Sequence, residues 1–450
     1  MVMNQGSISR RNVVFGAALT AVGGALAACA PGGSSSSNTS QAAASVKTTV
    51  GSEPISLTLY DGQGLKAMDE ALIAAFKAKH PNVTITGTYD PDNVTTQNQP
   101  RRLNAATPPD LIRVISVTDG TKNGLLTDLT PYEQAYGWNA LPSSQLTQFR
   151  VRGGVAGSGA LYAKPSGFTM TGLSYNKKLA EQIGMTAKPA SVAELTALFA
   201  KAKAAGLIGL VVGNKDGAAV MPFQLMANST MGVKAVSDWV FNASGAKINT
   251  AEGVKAAQQL ADWQKAGYFP DGVNGLDATA TDGQFAANKG VFYAWGNWDA
   301  TNLDKTMPGN VGFFEFPAFA AGGAVGAMSD AATAFGIPTK SKNKDAAALF
   351  LDFLSSDEAR QIAVDNSFMP SGATTGSVPT TKSGSVLADV LKAFSTLTTN
   401  GGQVPFVQNA TAGISNQAWT PESQNLLGGK STAQQFLDNV QKEYESELKN

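Results

Sequence analysis

An α/β fold built on a parallel sheet is what this sequence predicts, on three observations. Ile55-Ser56-Leu57-Thr58-Leu59-Tyr60 alternates with period two, as a strand does. Between Lys66 and Lys79, Met68, Leu72, Ala75 and Phe76 fall on one helical face. Val83-Thr84-Ile85-Thr86 then resumes the strand period, and Leu111 to Ile115 follows behind Pro108-Pro109-Asp110. Strand, helix and strand at this spacing make a parallel sheet. Such sheets hold ligands beyond the carboxyl ends of their strands, which singles out Asp61, Gln63, Ser116 and Asp119. The same residue types also make turns and caps, so either role is open at each.

Ahead of the sheet lies an address. Ser9-Arg10-Arg11, a weakly apolar run from Val13 to Ala28, and then Cys29 read as an export signal, residues 1–28, of twin-arginine type. Leu26-Ala27-Ala28-Cys29 resembles a bacterial lipobox, whose cysteine is acylated. Residues 29–52, rich in Ser, Ala and Gly, have too little to bury and read as a tether. The expectation is a domain held at the outer face of the cell membrane by lipid on Cys29.

Beyond the first strands, Ser191 and Glu194 form a capping-box pattern before Leu195, Leu198, Phe199 and Ala202. Ile208 to Val212 reads as the first strand of a second lobe, and Ala251 to Ala266 as a helix ended by Gly267. Phe285 to Asn302 passes from a helix end through Val291-Phe292-Tyr293-Ala294-Trp295 and breaks at Gly296-Asn297-Trp298. A rigid indole at a strand end can stack on the C–H face of a sugar ring. Both tryptophans can equally be core residues. Trp239, amid apolar neighbours, reads as core.

Composition excludes much chemistry. The chain has 34 basic and 34 acidic residues, with no basic footprint for nucleic acid. One cysteine and one histidine, His80, rule out an internal disulfide, a Cys/His zinc site and the His-dependent triads except at His80 itself. His80 sits at a helix end beside Lys79, where a cation is at home. No cofactor or metal is expected.

The order of motifs resembles the extracellular solute-binding proteins that feed sugar-type ABC importers. Tyr60-Asp61-Gly62, Pro109-Asp110-Leu111-Ile112, Gly124 to Tyr132, Tyr162 to Pro165 and Tyr175-Asn176-Lys177 come in that family's sequence. Lys342 to Leu354, Phe368-Met369-Pro370 and Gly428 to Gln434 continue it, so the likeness spans about residues 53–450. Departures are Ala193, where the family usually has Trp, and the altered Asn288-Lys289-Gly290.

The resemblance implies a two-lobed, type II periplasmic-binding fold, acting as a monomer without catalysis. Lobe 1 would be 53–165 plus 317–372 and lobe 2 166–316 plus 373–450, with crossings near 165–171, 314–319 and 370–376. A carbohydrate would bind between the lobes and pass to membrane permease subunits. Trp298 would stack on the ring, from the Gly-x-Trp motif. Phe168 and Thr169 would lie at the hinge, Asp330 on the returning loop and Trp419 at the late aromatic position. Trp295 completes the candidate set, although its strand position suits a core anchor. The rivals are a secreted glycosidase, which needs a spaced carboxylate pair, and a binder of another solute.

Overall fold

In the computed structural model, residues 46–373, 379–411 and 413–449 are described. The leader, Cys29, most of the tether and residues 374–376 of the expected third crossing lie outside them.

The chain opens with β1 (Ile55–Gly62), α1 (Lys66–Lys79), β2 (Val83–Asp90) and β3 (Leu111–Arg113). α1 forms because Met68, Leu72 and Phe76 share one buried face, with Lys77 and Lys79 at its carboxyl end. β1 pairs in parallel with both β2 and β3, setting Tyr60 against Thr88 and Ile112. After α2 (Val117–Lys122), the chain reaches β4 (Lys164–Phe168) and then β5 (Thr171–Asn176). The Ser191 hydroxyl caps the next helix through the Glu194 N–H at 3.2 Å, while the Glu194 carboxylate accepts from Ala190 rather than Ser191. β6 (Ile208–Val211), α3 (Ala278–Ala286), β7 (Gly290–Gly296) and β8 (Val311–Phe314) follow. Last come β9 (Ala331–Gly336), α4 (Asp357–Asp365) and the two-residue β10 (Met369–Pro370).

These ten strands form two sheets, in the orders β10-β4-β9-β3-β1-β2 and β8-β5-β7-β6. Each has its own core. One gathers Leu57, Leu59, Leu72, Phe76, Leu111, Phe335 and Phe350. The other gathers Leu173, Phe199, Leu210, Trp263, Phe292, Phe314 and Trp419. The expected helix at Lys342 to Leu354 runs Lys344–Phe353, and its Phe350 meets Phe76 edge-on at 5.2 Å.

The strands locate the crossings. The first runs from Phe168 to Thr171, since β4 belongs to the six-stranded sheet and β5 to the four-stranded one. The second falls at Met328 to Ala331, later than the 314–319 expected. Ala327–Met328 pairs with Gln403–Val404 and stays in the second core. No helix among the described residues is long and apolar enough to cross a membrane.

Candidate ligand cleft

β4 and β3 are both antiparallel to β9, so β4 ends on the edge where β1, β2 and β3 end. β5 starts where β7 ends, with Thr171 opposite Gly296. The short connection Phe168 to Thr171 therefore sets the carboxyl edges of the two sheets against each other. Ligand sites of α/β sheets lie at such edges.

The hinge itself is hydrogen-bonded. Thr169 N–H donates to the Asp330 carbonyl at 2.8 Å, and Ser329 Oγ donates to the Thr169 carbonyl at 2.8 Å. The Asp330 carboxylate accepts from the Phe406 N–H and from Asn409 Nδ2 at 2.6 Å. Burial pushes its pKa up to about 6 against those two bonds.

On the six-stranded-sheet side, Gln63 and Asp119 are exposed and Ser116 is half-buried. Ser116 Oγ caps α2 by accepting from the Asp119 N–H at 3.3 Å. Ile115, 42% exposed and one of two exposed large apolar residues among the described residues, adds an apolar surface just beyond β3.

On the four-stranded-sheet side, Gly296 ends β7, and Trp295 and Trp298 are both half-buried. Trp295 stacks on Tyr293 at 5.7 Å and 13°, and meets Trp298 edge-on at 5.5 Å and 74°. The three rings form a continuous aromatic corner. Tyr293 donates its hydroxyl to Asp282 of α3. Asp299 follows Trp298 directly and is buried. Its Oδ1 accepts from Asn302 at 2.9 Å, and its Oδ2 has no protein partner. Burial raises its pKa to about 6, the Asn302 bond opposing and the Asp282 charge adding. Among the described residues, no three His, Cys, Asp or Glu side chains gather to hold a metal.

Three of the expected contact residues are buried. Asp61 points under α1, not into the cleft. It is wholly buried, accepting from Arg113 Nη1 at 3.2 Å and the Gly62 N–H at 2.6 Å. Phe168 is buried at the crossing and stacks on Phe394 at 5.9 Å, so it packs the hinge. Trp419 is inside the second core, 5.5 Å from Phe223 and 5.7 Å from Trp239, with its indole N–H on the Val407 carbonyl. Its residue type misled, because the apolar neighbours that bury it come from distant helices. Asp299, Asn297 and Tyr293 stand beside the two tryptophans without having been singled out in the sequence. Their place beside Trp298 in the sequence was the available signal.

The model of the bacterial extracellular solute-binding proteins matches residues 61–361. A search of the curated proteins found no match. Solved structures share the fold. A family 1 extracellular solute-binding protein from Bifidobacterium longum subsp. infantis is 16% identical with a TM-score of 0.73, over 88% of this chain and 100% of that one. The bacterial solute receptor AcbH, described as preferring β-D-galactopyranose exclusively, is 19% identical with a TM-score of 0.72, over 88% and 98%. A chitin oligosaccharide binding protein is 21% identical with a TM-score of 0.67, over 87% and 99%. With two sheets whose carboxyl edges face across a hydrogen-bonded hinge, and a family match over most of the folded region, the chain belongs to the bacterial extracellular solute-binding proteins.

Proposed function

We propose that this protein captures a carbohydrate between its two lobes, without turning it over, and delivers it to the permease subunits of an ABC importer. The observation that carries the reading is the half-buried corner of Trp295 and Trp298 at the end of β7, followed in the chain by Asp299, whose Oδ2 is unpartnered and covered from solvent. Indoles offer faces for the C–H side of a pyranose, and a carboxylate oxygen accepts from its hydroxyls. Structures that share the fold include binders of chitin oligosaccharide and of β-D-galactopyranose, which agrees with this choice.

In this reading Trp298 is the stacking platform, Trp295 its side wall, and Asp299 a hydroxyl acceptor that ligand binding has to uncover, since its free oxygen is covered in this structure. Gln63, Ser116 and Asp119 close from the other lobe, while Thr169 and Asp330 hold the hinge. The lobes are residues 53–165 plus 317–372 and 166–316 plus 373–450, adjusted to crossings at 168–171 and 328–331. Closure around the ligand is the form a permease recognises. The protein acts as a monomer, held at the outer membrane face by lipid on Cys29.

Titration calorimetry with galactose, raffinose, maltotriose and chitin oligosaccharides, with chromatography of the sugars afterwards, tests the reading. One of these binds and is recovered intact. Cleaved product would mean an enzyme, and no sugar response beside tight binding of a polyamine would mean another solute. Cys29→Ala should move the protein from the membrane fraction to the soluble fraction. Retention would remove the lipid anchor.

A further inference from the structure

The loop that carries Trp298 reaches across the hinge. Asn297 is wholly buried. Its Oδ1 accepts the Met170 N–H at 2.6 Å, and its Nδ2 donates to the Ser367 carbonyl at 2.5 Å. Met170 lies in the first crossing, between β4 and β5. Ser367 lies between α4 and β10, on the six-stranded-sheet side. Its φ of +68° is left-handed, a strained conformation for a residue with a β-carbon. That conformation is kept while its carbonyl serves Asn297. A second tie joins Thr301 Oγ1 to Ser367 Oγ at 2.5 Å. Trp298 stands between the two gripping residues in sequence.

A planar primary amide suits this position because it offers an acceptor and a donor side by side. Either partner left unpaired at a buried site is expensive, so the two bonds hold or fail together. The lobes can turn only about the crossings, and this amide joins one crossing to the approach of another. An apolar or single-function side chain could not do both.

We propose that Asn297 is the positioning residue that sets the Trp298 platform against the six-stranded-sheet lobe, and that the resting angle between the lobes depends on its two hydrogen bonds. The value of this to binding rests on Trp298 as the ligand platform. The lobe angle itself does not, so the test uses no sugar.

Spin labels on exposed Lys342→Cys and Lys289→Cys, in the full chain carrying Cys29→Ser, report the distance between lobes in the unliganded protein. The parent gives one narrow distribution at both about pH 8 and about pH 5. Asn297→Asp at pH 8 puts a carboxylate against the Ser367 carbonyl and widens the distribution roughly twofold or shifts it. At pH 5 the introduced carboxyl is protonated, donates to Ser367 while accepting from Met170, and restores the narrow distribution. A residue with only a packing role would give no such reversal. Parent-like distances at both pH values in a folded Asn297→Asp protein would overturn the proposal. If that variant does not fold, Asn297→Ser leaves one short hydroxyl that cannot serve both the Met170 N–H and the Ser367 carbonyl. A widened distribution is expected, and a parent-like one would overturn the proposal equally. A failed sugar screen alongside a pH-reversible distance would sink the carbohydrate reading and leave the hinge role standing.

Discussion

The indole of Trp298 lies across the α-carbon of Gly296: a β-carbon at Gly296 would come within 2.1 Å of Cζ3 of the ring. The backbone there is extended, so the glycine is needed for room and not for its conformation. Gly296→Ala should therefore push the ring from its place while β7 stays paired. The expected loss is about tenfold or more in affinity for whichever sugar binds the parent, ~1.4 kcal/mol, read by calorimetry. Trp298→Ala should abolish binding with the circular dichroism unchanged. Unaltered affinity in both would end the stacking role.

Sugar affinity should depend on pH through Asp299. Its pKa is about 6, and only the carboxylate accepts freely from hydroxyls. Binding should weaken as pH falls from about 7 to about 5, and Asp299→Asn should flatten that profile. Asp330 has a similar pKa but both its oxygens are occupied, by Phe406 N–H and Asn409. Asp330→Asn should leave the pH step in place. If instead it is Asp330→Asn that removes the step, the acceptor has been misassigned.

The parallel sheet was legible in the sequence because β1, α1 and β2 carry clean periods, and the motif order carried the two lobes. The cleft was legible only in part. Gln63 and Asp119 follow the strand-end rule and are exposed. Asp61 obeys the same rule but faces the other way, because alternation in β1 puts it on the α1 side with Leu57 and Leu59. Sequence position gives the strand end; the pleat decides which face, and at the last residue of a strand one step reverses the answer. Trp419 shows a different limit. Its neighbours Phe223 and Trp239 are nearly two hundred residues away, beyond any local pattern.

Asp61 has a second carboxyl beside it. Asp69 of α1 is wholly buried, and its carboxyl stands within hydrogen-bonding reach of the Asp61 carboxyl. Burial first, and then the Asp61 charge, raise its pKa well above the usual carboxylate value, with the Arg113 guanidinium opposing. Tyr89, opposite Asp61 in the register, and Glu70 complete the charged surroundings. A carboxyl raised on folding contributes stability that is full below the unfolded pKa of about 3.9 and is lost as pH rises through the folded value. Asp69→Asn should remove that loss. It should match the parent near pH 4 and exceed it above, by about 1 kcal/mol or more, in denaturant titrations. A variant less stable than the parent across the whole range would mean that Asp69 is ionised and fully paired.

Lys164 should give the opposite slope. It opens β4, is wholly buried, and its ammonium nitrogen bonds Ser355 Oγ and lies 5.3 Å from the centre of the Trp138 ring. Asp352, the nearest opposing charge, is engaged by the Trp138 indole N–H at 2.8 Å. Desolvation therefore wins over the attraction of Asp352 and drives the Lys164 pKa down to about 7. Between about pH 7 and pH 10 the unfolded chain binds a proton here that the folded chain does not. Stability should rise with pH across that window and stay level below it, where both states are protonated and the burial penalty is complete. Lys164→Met keeps the length and apolar stem and removes the proton. Its stability should lack the rise, stand above the parent by on the order of a few kcal/mol at about pH 6, and converge with it near pH 10. Denaturant midpoints measured from pH 6 to pH 10 make the comparison. A parent curve as level as that of the variant would mean the ammonium is solvated or directly paired, and that the first hinge strand is not held at its origin by an uncharged amine.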